Sequence, residues 1–323
     1  MYLTLIIYTT KYTYKPTYIM KLKNPEIRFE TTNKCAYHCK ICPRELMTRK
    51  EGVMTMDLFK KIIDEAIPLG LTHVTLTGFG EAMLDEHFLD RIKYCKSKNL
   101  YVSMDTTGYL LKDQIIEGLL KYEFDFIRFS VFATTKDVYK EVHNLNTFDL
   151  SIQRINKLLD LKKQNNFSYP KTGVYFVIQK ENQHQIDDFI KYWNNRVDEV
   201  DVWKSHNWID TYDHRKKSNN RKKTCGRPQS GPLQIRWDGQ ISACCFDFNN
   251  QLITGDLSKQ SFQEFFLSDK LQNLVSAHNK GDMSNYSICD NCDQMYETPD
   301  ALYYSNNPNN KPGTSGNTFI SFD

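Results

Sequence analysis

The chain has no long hydrophobic run. Its most apolar terminal stretch, Met1 to Thr10, is broken by threonines and falls well short of the roughly 20 residues that span a bilayer. It also lacks the leading basic residues and small-residue cleavage site of a secretory signal, so none is expected there. A cytoplasmic protein with no membrane partner is expected. An excess of one charge is missing too. With 42 Lys and Arg against 39 Asp and Glu, a net of +3, the overall field announces neither a nucleic-acid binder nor a polybasic anchor. Compositional bias is absent: 40% apolar and 25% charged residues exclude collagen-like and wholly disordered chains. Nine cysteines in 323 residues are too sparse for a disulfide scaffold. What remains is a globular chain of about two domains, long enough to bury a core.

Where the cysteines stand matters more than their number. Cys35, Cys39 and Cys42 form a C-x3-C-x2-C run in TTNKCAYHCKICPRE, so three thiolates converge on one loop. A structural zinc site takes a fourth Cys or His in tetrahedral geometry, and His38, pinned beside Cys39, is badly placed to supply it. Three thiolates suit an iron–sulfur cluster with one iron left open for a substrate or cofactor. A second group lies downstream: Cys225, the pair Cys244 and Cys245, and Cys289 with Cys292. Between its halves, LQIRWDGQISACC reads as a hairpin turning at Asp238-Gly239, which carries Cys244 back toward Cys225. Four of these cysteines close a site, and spacing alone leaves a zinc ribbon and an iron–sulfur centre equally open. Cys95 falls on an amphipathic helical pattern and is expected as a packed core thiol.

Residues 1–24 are Tyr- and Thr-rich without a period, an edge strand or an extension upstream of a start at Met20. From Pro25 to about Trp208 short β-rich runs alternate with amphipathic helices, the pattern of an α/β parallel sheet wrapped by helices. The expected strands are Glu26–Glu30, His73–Thr77, Tyr101–Asp105, Phe126–Val131, Gly173–Ile178 and Glu199–Trp203. The helices are Met56–Ala66, Asp85–Ser97, Lys112–Lys121, Thr134–Val142, Asp149–Gln164 and His184–Asn194. In such folds the chemistry gathers beyond the C-terminal strand ends, where Cys35–Cys42, Gly78–Glu81, Thr106–Gly108 and Ser130 fall. The barrel is expected over residues 25–214. Residues 215–224, with six basic side chains, are expected as a solvated linker. A cysteine-rich domain over 225–302 and a loosely tethered tail over 303–323 complete the chain.

The first cysteine run, placed directly after a first strand and followed by a Gly-Glu loop after the second, resembles the signature of the radical S-adenosylmethionine (SAM) superfamily. The resemblance spans roughly Asn24 to Trp208 and implies a partial (β/α)6 TIM-like barrel. It also implies a [4Fe–4S] cluster held by Cys35, Cys39 and Cys42 and chelated by SAM at its open iron. Phe79-Gly80-Glu81-Ala82 is similar to the family's Gly-Gly-Glu-Pro, with Gly80 and Glu81 matching and Phe79 and Ala82 departing; the match implies a seat for the ammonium of SAM. Thr106-Thr107-Gly108 resembles the family's Thr-Asn-Gly, Ser130 its ribose or carboxylate contact, and Ile41 and Ile178 the positions flanking adenine. The Arg that many relatives place a dozen residues after that Ser is replaced by His143-Asn144. The later cysteines resemble a SPASM/twitch extension, a small α+β unit of β-hairpin plus helix. One auxiliary [4Fe–4S] cluster is implied, on Cys225, Cys244, Cys289 and Cys292, with Cys245 the alternative to Cys244.

The resemblance implies reductive cleavage of SAM to a 5′-deoxyadenosyl radical, with an electron donor such as flavodoxin or ferredoxin as partner. A single auxiliary cluster resembles the twitch-type dehydrogenases that oxidise an aminocyclitol alcohol, so a small polar, sugar- or aminocyclitol-like substrate is expected, with the auxiliary cluster as electron acceptor. Tyr175, His206, Arg236 and Asp247 are weighed as the base for the hydroxyl proton and none is assigned. The rival reading is a maturase of a ribosomal peptide precursor, making thioether, carbon–carbon or epimerised products. With only about 24 residues before Pro25, a fused leader-binding domain is not expected. A zinc protein whose basic linker contacts nucleic acid is the remaining, non-enzymatic reading.

Overall fold

In the computed structural model, residues 3–6, 17–209, 211–214, 216–297 and 301–310 are described. β1 (Leu3–Ile6) and β2 (Thr17–Met20) pair antiparallel in a small sheet of their own, rather than on the edge of the main one. The six expected repeats follow. β3 (Glu26–Phe29), β4 (His73–Leu76), β5 (Tyr101–Thr106), β6 (Phe126–Ser130), β7 (Lys171–Ile178) and β8 (Glu199–Lys204) run parallel in that order. Their helices are α1 (Met56–Ala66), α2 (Phe88–Ser97), α3 (Asp113–Lys121), α4 (Lys136–His143), α5 (Phe148–Gln164) and α6 (Ile186–Trp193).

Alternation along the strands decides which face is which. Ile27, Val74, Val102 and Ile127 are buried against the helices, each contributing about 1.5–3 kcal/mol. The intervening Glu26, Arg28, Thr75, Ser103, Asp105 and Arg128 face the inside of the curve and line a cavity. The helices are patterned to match: α1 starts where Thr55 accepts from the Leu58 amide and buries Phe59, Ile62, Ile63 and Ala66. The helix expected from Asp85 begins three residues later, at Phe88. The Asp85 carboxylate accepts from the His87 amide at 2.9 Å and pairs with the fully buried Arg91 at 2.5 Å, so it lies outside the helix it was expected to open. Cys95 is fully buried in α2, as expected, with its thiol pushed up to about 12 by burial.

The sheet does not close, and the C-terminal segment occupies both of its edges. α7 (Arg227–Ser230) leads to β9 (Leu233–Ile235), which pairs parallel with β3. β10 (Gln240–Ser242) and β11 (Ile253–Asp256) continue antiparallel beyond it. The β9–β10 turn is the expected one, with Gly239 at φ +89°. α8 (Phe262–Leu267), α9 (Asp269–Lys280) and α10 (Ser287–Asp290) follow. β12 (Leu302–Ser305) then pairs antiparallel with β8. One expectation is corrected here. The tail was expected loose from residue 303, but the β8 edge offers unpaired backbone groups: Val200 N donates to Asn306 Oδ1 at 2.7 Å and the Asn306 amide to Val200 O at 3.2 Å. Residues 311–323 lie outside the described residues. The basic stretch is exposed to half-exposed along its described length and is also tethered: Lys222 N bonds Met295 O at 2.7 Å, Arg221 pairs with Asp290 at 2.5 Å and Lys217 reaches Asn291 O at 2.9 Å, holding it against the Cys289–Cys292 segment. Arg215 lies outside the described residues.

Candidate active site and auxiliary centre

The loop after β3 carries Cys35, Cys39 and Cys42 and is held from three directions. Lys34 O accepts from the Glu81 amide, Lys40 N donates to Val142 O (both 2.9 Å), Asn144 Nδ2 donates to His38 O at 2.8 Å, and Trp208 Nε1 donates to Ile41 O at 2.6 Å. Burial pushes all three thiols up, Cys42 to about 11, with the neighbouring Glu81 charge adding to the effect on Cys35 and Cys39. Such thiols give up their protons only to a strongly bound cation. His38 turns away to the exposed Glu45 carboxylate, and no three Cys, His, Asp or Glu side chains close around a single-ion position among the described residues. In place of the family's Arg, His143 puts Nδ1 3.1 Å from Cys39 Sγ. It is fully buried, which holds the imidazole neutral, down to about 3.

The loop after β4 slides under the cysteines because Gly80 has no side chain: a Cβ there would stand 2.2 Å from Thr32 O and 2.8 Å from Lys34 O. Glu81, 4% exposed, takes Thr106 Oγ1 on Oε2 at 2.9 Å and the Thr107 amide at 3.4 Å. The two loops matched by sequence thus meet on one carboxylate. Its Oε1 is buried with no hydrogen-bond partner, and burial lifts its pKa to about 7. A cationic group at that oxygen supplies the missing partner, so the donor set fits the ammonium of SAM beside three metal-ready thiols.

Above and inside the barrel lies a cavity of about 530 Å³. Ile41, Gly78, Phe79 and Ser130 line its mouth, while Ile178 does not: strand alternation turns it with Phe176 toward the helices and brings Val177 to the wall beside Ile41. The interior is charged and paired. Arg28 Nε donates to Glu26 at 2.8 Å, and Arg128 Nε to Asp105 at 2.7 Å. Asp105 is held below the usual carboxylate range despite burial because Arg128 and Arg28 face it. Of the residues weighed as a base, Tyr175, His206 and Arg236 line this cavity. Asp247 does not. Its carboxylate accepts from the Gln251 and Leu252 amides at 2.9 and 2.8 Å, building the β10–β11 loop. Sequence reasoning missed Glu26, Arg28, Asp105, Arg128 and Glu199, although the polar half of each strand's alternation marked them. The Phe79 departure has a packing reason: its ring meets Trp208 at 5.5 Å and lies under Arg49 and Arg236 at 5.6 and 5.2 Å, joining barrel to extension. Both guanidiniums also converge on the buried Glu30, Arg49 bidentate at 2.7 and 2.9 Å and Arg236 at 3.5 Å.

The extension builds a second, small apolar cavity lined by Cys225, Cys244, Cys289 and Cys292. Cys245, next in sequence to Cys244, lines the barrel cavity, and its thiol is hydrogen-bonded with that of Cys244. Burial pushes Cys289 and Cys292 up to about 12. The buried Arg227, its guanidinium 4.3 Å over the Phe246 ring, stands among Cys245, Cys244, Cys225 and Cys292, and its charge favours their thiolate forms against the effect of burial.

Comparison with known proteins follows this division. The radical SAM superfamily model matches residues 29–192, half of the chain, and a model described as an iron–sulfur cluster-binding domain, SPASM, matches residues 225–293. Among curated proteins, a tungsten-containing aldehyde ferredoxin oxidoreductase cofactor-modifying protein of Pyrococcus furiosus is 29% identical over 51% of this chain and 47% of its own length. A probable GTP 3′,8-cyclase of Saccharolobus solfataricus is 25% identical over 56% and 57%. The chain thus spans only about half the length of these curated relatives. Among solved structures, BtrN in complex with AdoMet and 2-DOIA superposes with TM-score 0.58 at 15% identity, covering 84% of this chain and 94% of BtrN. Streptococcus suis SuiB bound to its precursor peptide SuiA gives 0.65 at 13%, covering 80% and 67%. Both likenesses are of fold. No helix among the described residues is long and apolar enough to cross a membrane. The two domains imply a SAM-binding [4Fe–4S] cluster and auxiliary iron–sulfur. With a family model fitting from the end of the first barrel strand into α6, this chain belongs to the radical SAM superfamily and carries a SPASM iron–sulfur domain.

Proposed function

We propose that the chain is a radical SAM oxidoreductase that oxidises a small polar substrate of sugar or aminocyclitol kind inside the barrel. The observation that carries this is the cavity interior, where the Glu26–Arg28 and Asp105–Arg128 pairs with Thr75 and Ser103 present fixed donors and acceptors to hydroxyl and amino groups. When bound, the cofactors supply a 5′-deoxyadenosyl radical that takes a substrate hydrogen atom and an auxiliary cluster that accepts the second electron. The residues do the rest. Cys35, Cys39 and Cys42 hold the first cluster; Cys225, Cys244, Cys289 and Cys292 hold the auxiliary one. Gly80, Glu81 and Thr106 seat the SAM ammonium, with Ser130 at the ribose and Ile41 and Val177, rather than Ile178, against the adenine. Tyr175 and His206 are the cavity groups placed to receive the hydroxyl proton. A small one-electron donor protein of the flavodoxin or ferredoxin kind supplies the reducing electron. The relatives named as a cofactor-modifying protein and a GTP cyclase support a small-molecule substrate over a peptide.

The test is anaerobic reconstitution of the full chain, iron and sulfide analysis, and incubation with SAM, dithionite and a panel of aminocyclitols, sugars and short peptides. About eight irons per chain, and 5′-deoxyadenosine formed with a two-electron-oxidised member of the polar panel, are the expected results. Deoxyadenosine coupled only to peptide modification would replace the reading with a peptide maturase. Four irons with activity would remove the electron-acceptor role, and zinc without iron would overturn the whole reading.

A further inference from the structure

We infer that His143 is a positioning residue for the radical-generating cluster: its imidazole donates a hydrogen bond to the Cys39 sulfur and thereby raises the reduction potential of the cluster held there. The inference rests on Cys35, Cys39 and Cys42 being that cluster's ligands. Its own support is geometric. Nδ1 of His143 lies 3.1 Å from Cys39 Sγ, and Nε2 accepts from the Phe132 amide at 3.5 Å. A neutral imidazole carries one ring proton, so a ring that accepts at Nε2 donates from Nδ1. The orientation is locked by packing on several sides. Phe132 stacks on the ring at 4.8 Å and 10°, Tyr139 lies at 4.2 Å and Tyr37 at 5.6 Å, and His143 has no exposed surface.

The sulfur is held as firmly as the donor. The residue before His143 accepts from Lys40 N through Val142 O at 2.9 Å, and the residue after it donates from Asn144 Nδ2 to His38 O at 2.8 Å. Three consecutive residues at the end of α4 therefore grip three consecutive residues of the cysteine loop, with the N–H···S contact in the middle. Asn144 reaches back because it takes the left-handed conformation, φ +51°, that ends α4. A hydrogen bond to a ligating thiolate draws electron density from the cluster and favours the more negative, reduced state over the oxidised one. Reduction of the cluster by a protein donor is correspondingly easier, in a pocket otherwise too apolar to welcome the added charge.

The test compares the reconstituted full chain with His143→Phe, which keeps a ring but no donor, and His143→Asn, whose amide nitrogen stands near the Nδ1 position. Potentiometric titration follows the electron paramagnetic resonance signal that SAM perturbs, which separates this cluster from the auxiliary one. In His143→Phe the reduced-to-oxidised ratio at a fixed potential is expected to fall about tenfold, a shift of 59 mV for a one-electron couple; His143→Asn restores most of it. An unchanged midpoint in an iron-replete His143→Phe, or an equal shift in both variants, overturns the inference. Should neither variant assemble, wild-type chain labelled with 15N-histidine decides the matter: an imidazole nitrogen coupled to the reduced cluster in spin-echo modulation is expected, and its absence overturns the hydrogen bond. A wild-type chain that takes up no cluster instead overturns the ligand assignment, and its iron content shows which of the two failed.

Discussion

Two adjacent cysteines that line different cavities set the first expectation. Cys244 lines the auxiliary cavity with Cys225, Cys289 and Cys292, and Cys245 lines the barrel cavity. Cys244→Ala is therefore expected to lose about four irons of about eight, while Cys245→Ala keeps them all; iron analysis of the two reconstituted variants checks this. Glu81 carries a pH signature. Its folded carboxyl keeps its proton up to about pH 7, whereas the ordinary carboxyl releases it near 4.5. The folded state binds the extra proton, so the associated stability is full below pH 4.5 and is lost as pH rises through 7, of order 3 kcal/mol over that span. Urea unfolding of wild-type and Glu81→Gln chains without SAM is compared between pH 5 and 8; the buried neutral His143 and His278 give both chains the same opposing slope below about pH 6.5, so the Glu81 contribution is expected as the difference between the two chains, the wild type losing stability relative to the variant as pH rises through 7.

At the scale of elements, the join between barrel and extension is made by charge as well as by sheet. Glu30, with a side chain 1% exposed, faces Arg49 and Arg236. Glu30→Ala leaves two buried guanidiniums without their carboxylate and is expected to cost about 3–5 kcal/mol, read as a lowered urea midpoint at unchanged slope. The elements themselves were legible in the sequence. EIRF, HVTL and FIRFS alternate so cleanly that all six strands and six helices fall where the pattern put them, within a few residues. What escaped was set by partners distant in sequence. Asp85 is claimed by the buried Arg91, the basic stretch is claimed by the Cys289–Cys292 segment, and the Asn-rich tail is claimed by an open strand edge. The site divides in the same way. The Cys35–Cys42 loop and Gly80-Glu81 were marked by local spacing, while the polar wall of the cavity and the role of His143 depend on which side chains the fold brings together. Ile178 missed the wall by one residue, which in a strand reverses the face.

Across the whole molecule, both open edges of the six-stranded core are covered by later parts of the chain, β9 on β3 and β12 on β8. Ending the chain at residue 300 bares the β8 edge. Faster hydrogen exchange at the amides of Val200 and Lys204, which donate to Asn306 and Ala301, is expected together with self-association in size-exclusion chromatography. The same arrangement orders events during synthesis. The ribosome releases all six parallel strands before any residue that covers β3 or β8, so the nascent barrel emerges with two bare edges and an unfinished cavity wall. The cavity beside the first cysteine loop is thus completed late in synthesis, because Gln234, Arg236, Cys245 and Phe246 of its wall emerge only after all six barrel strands.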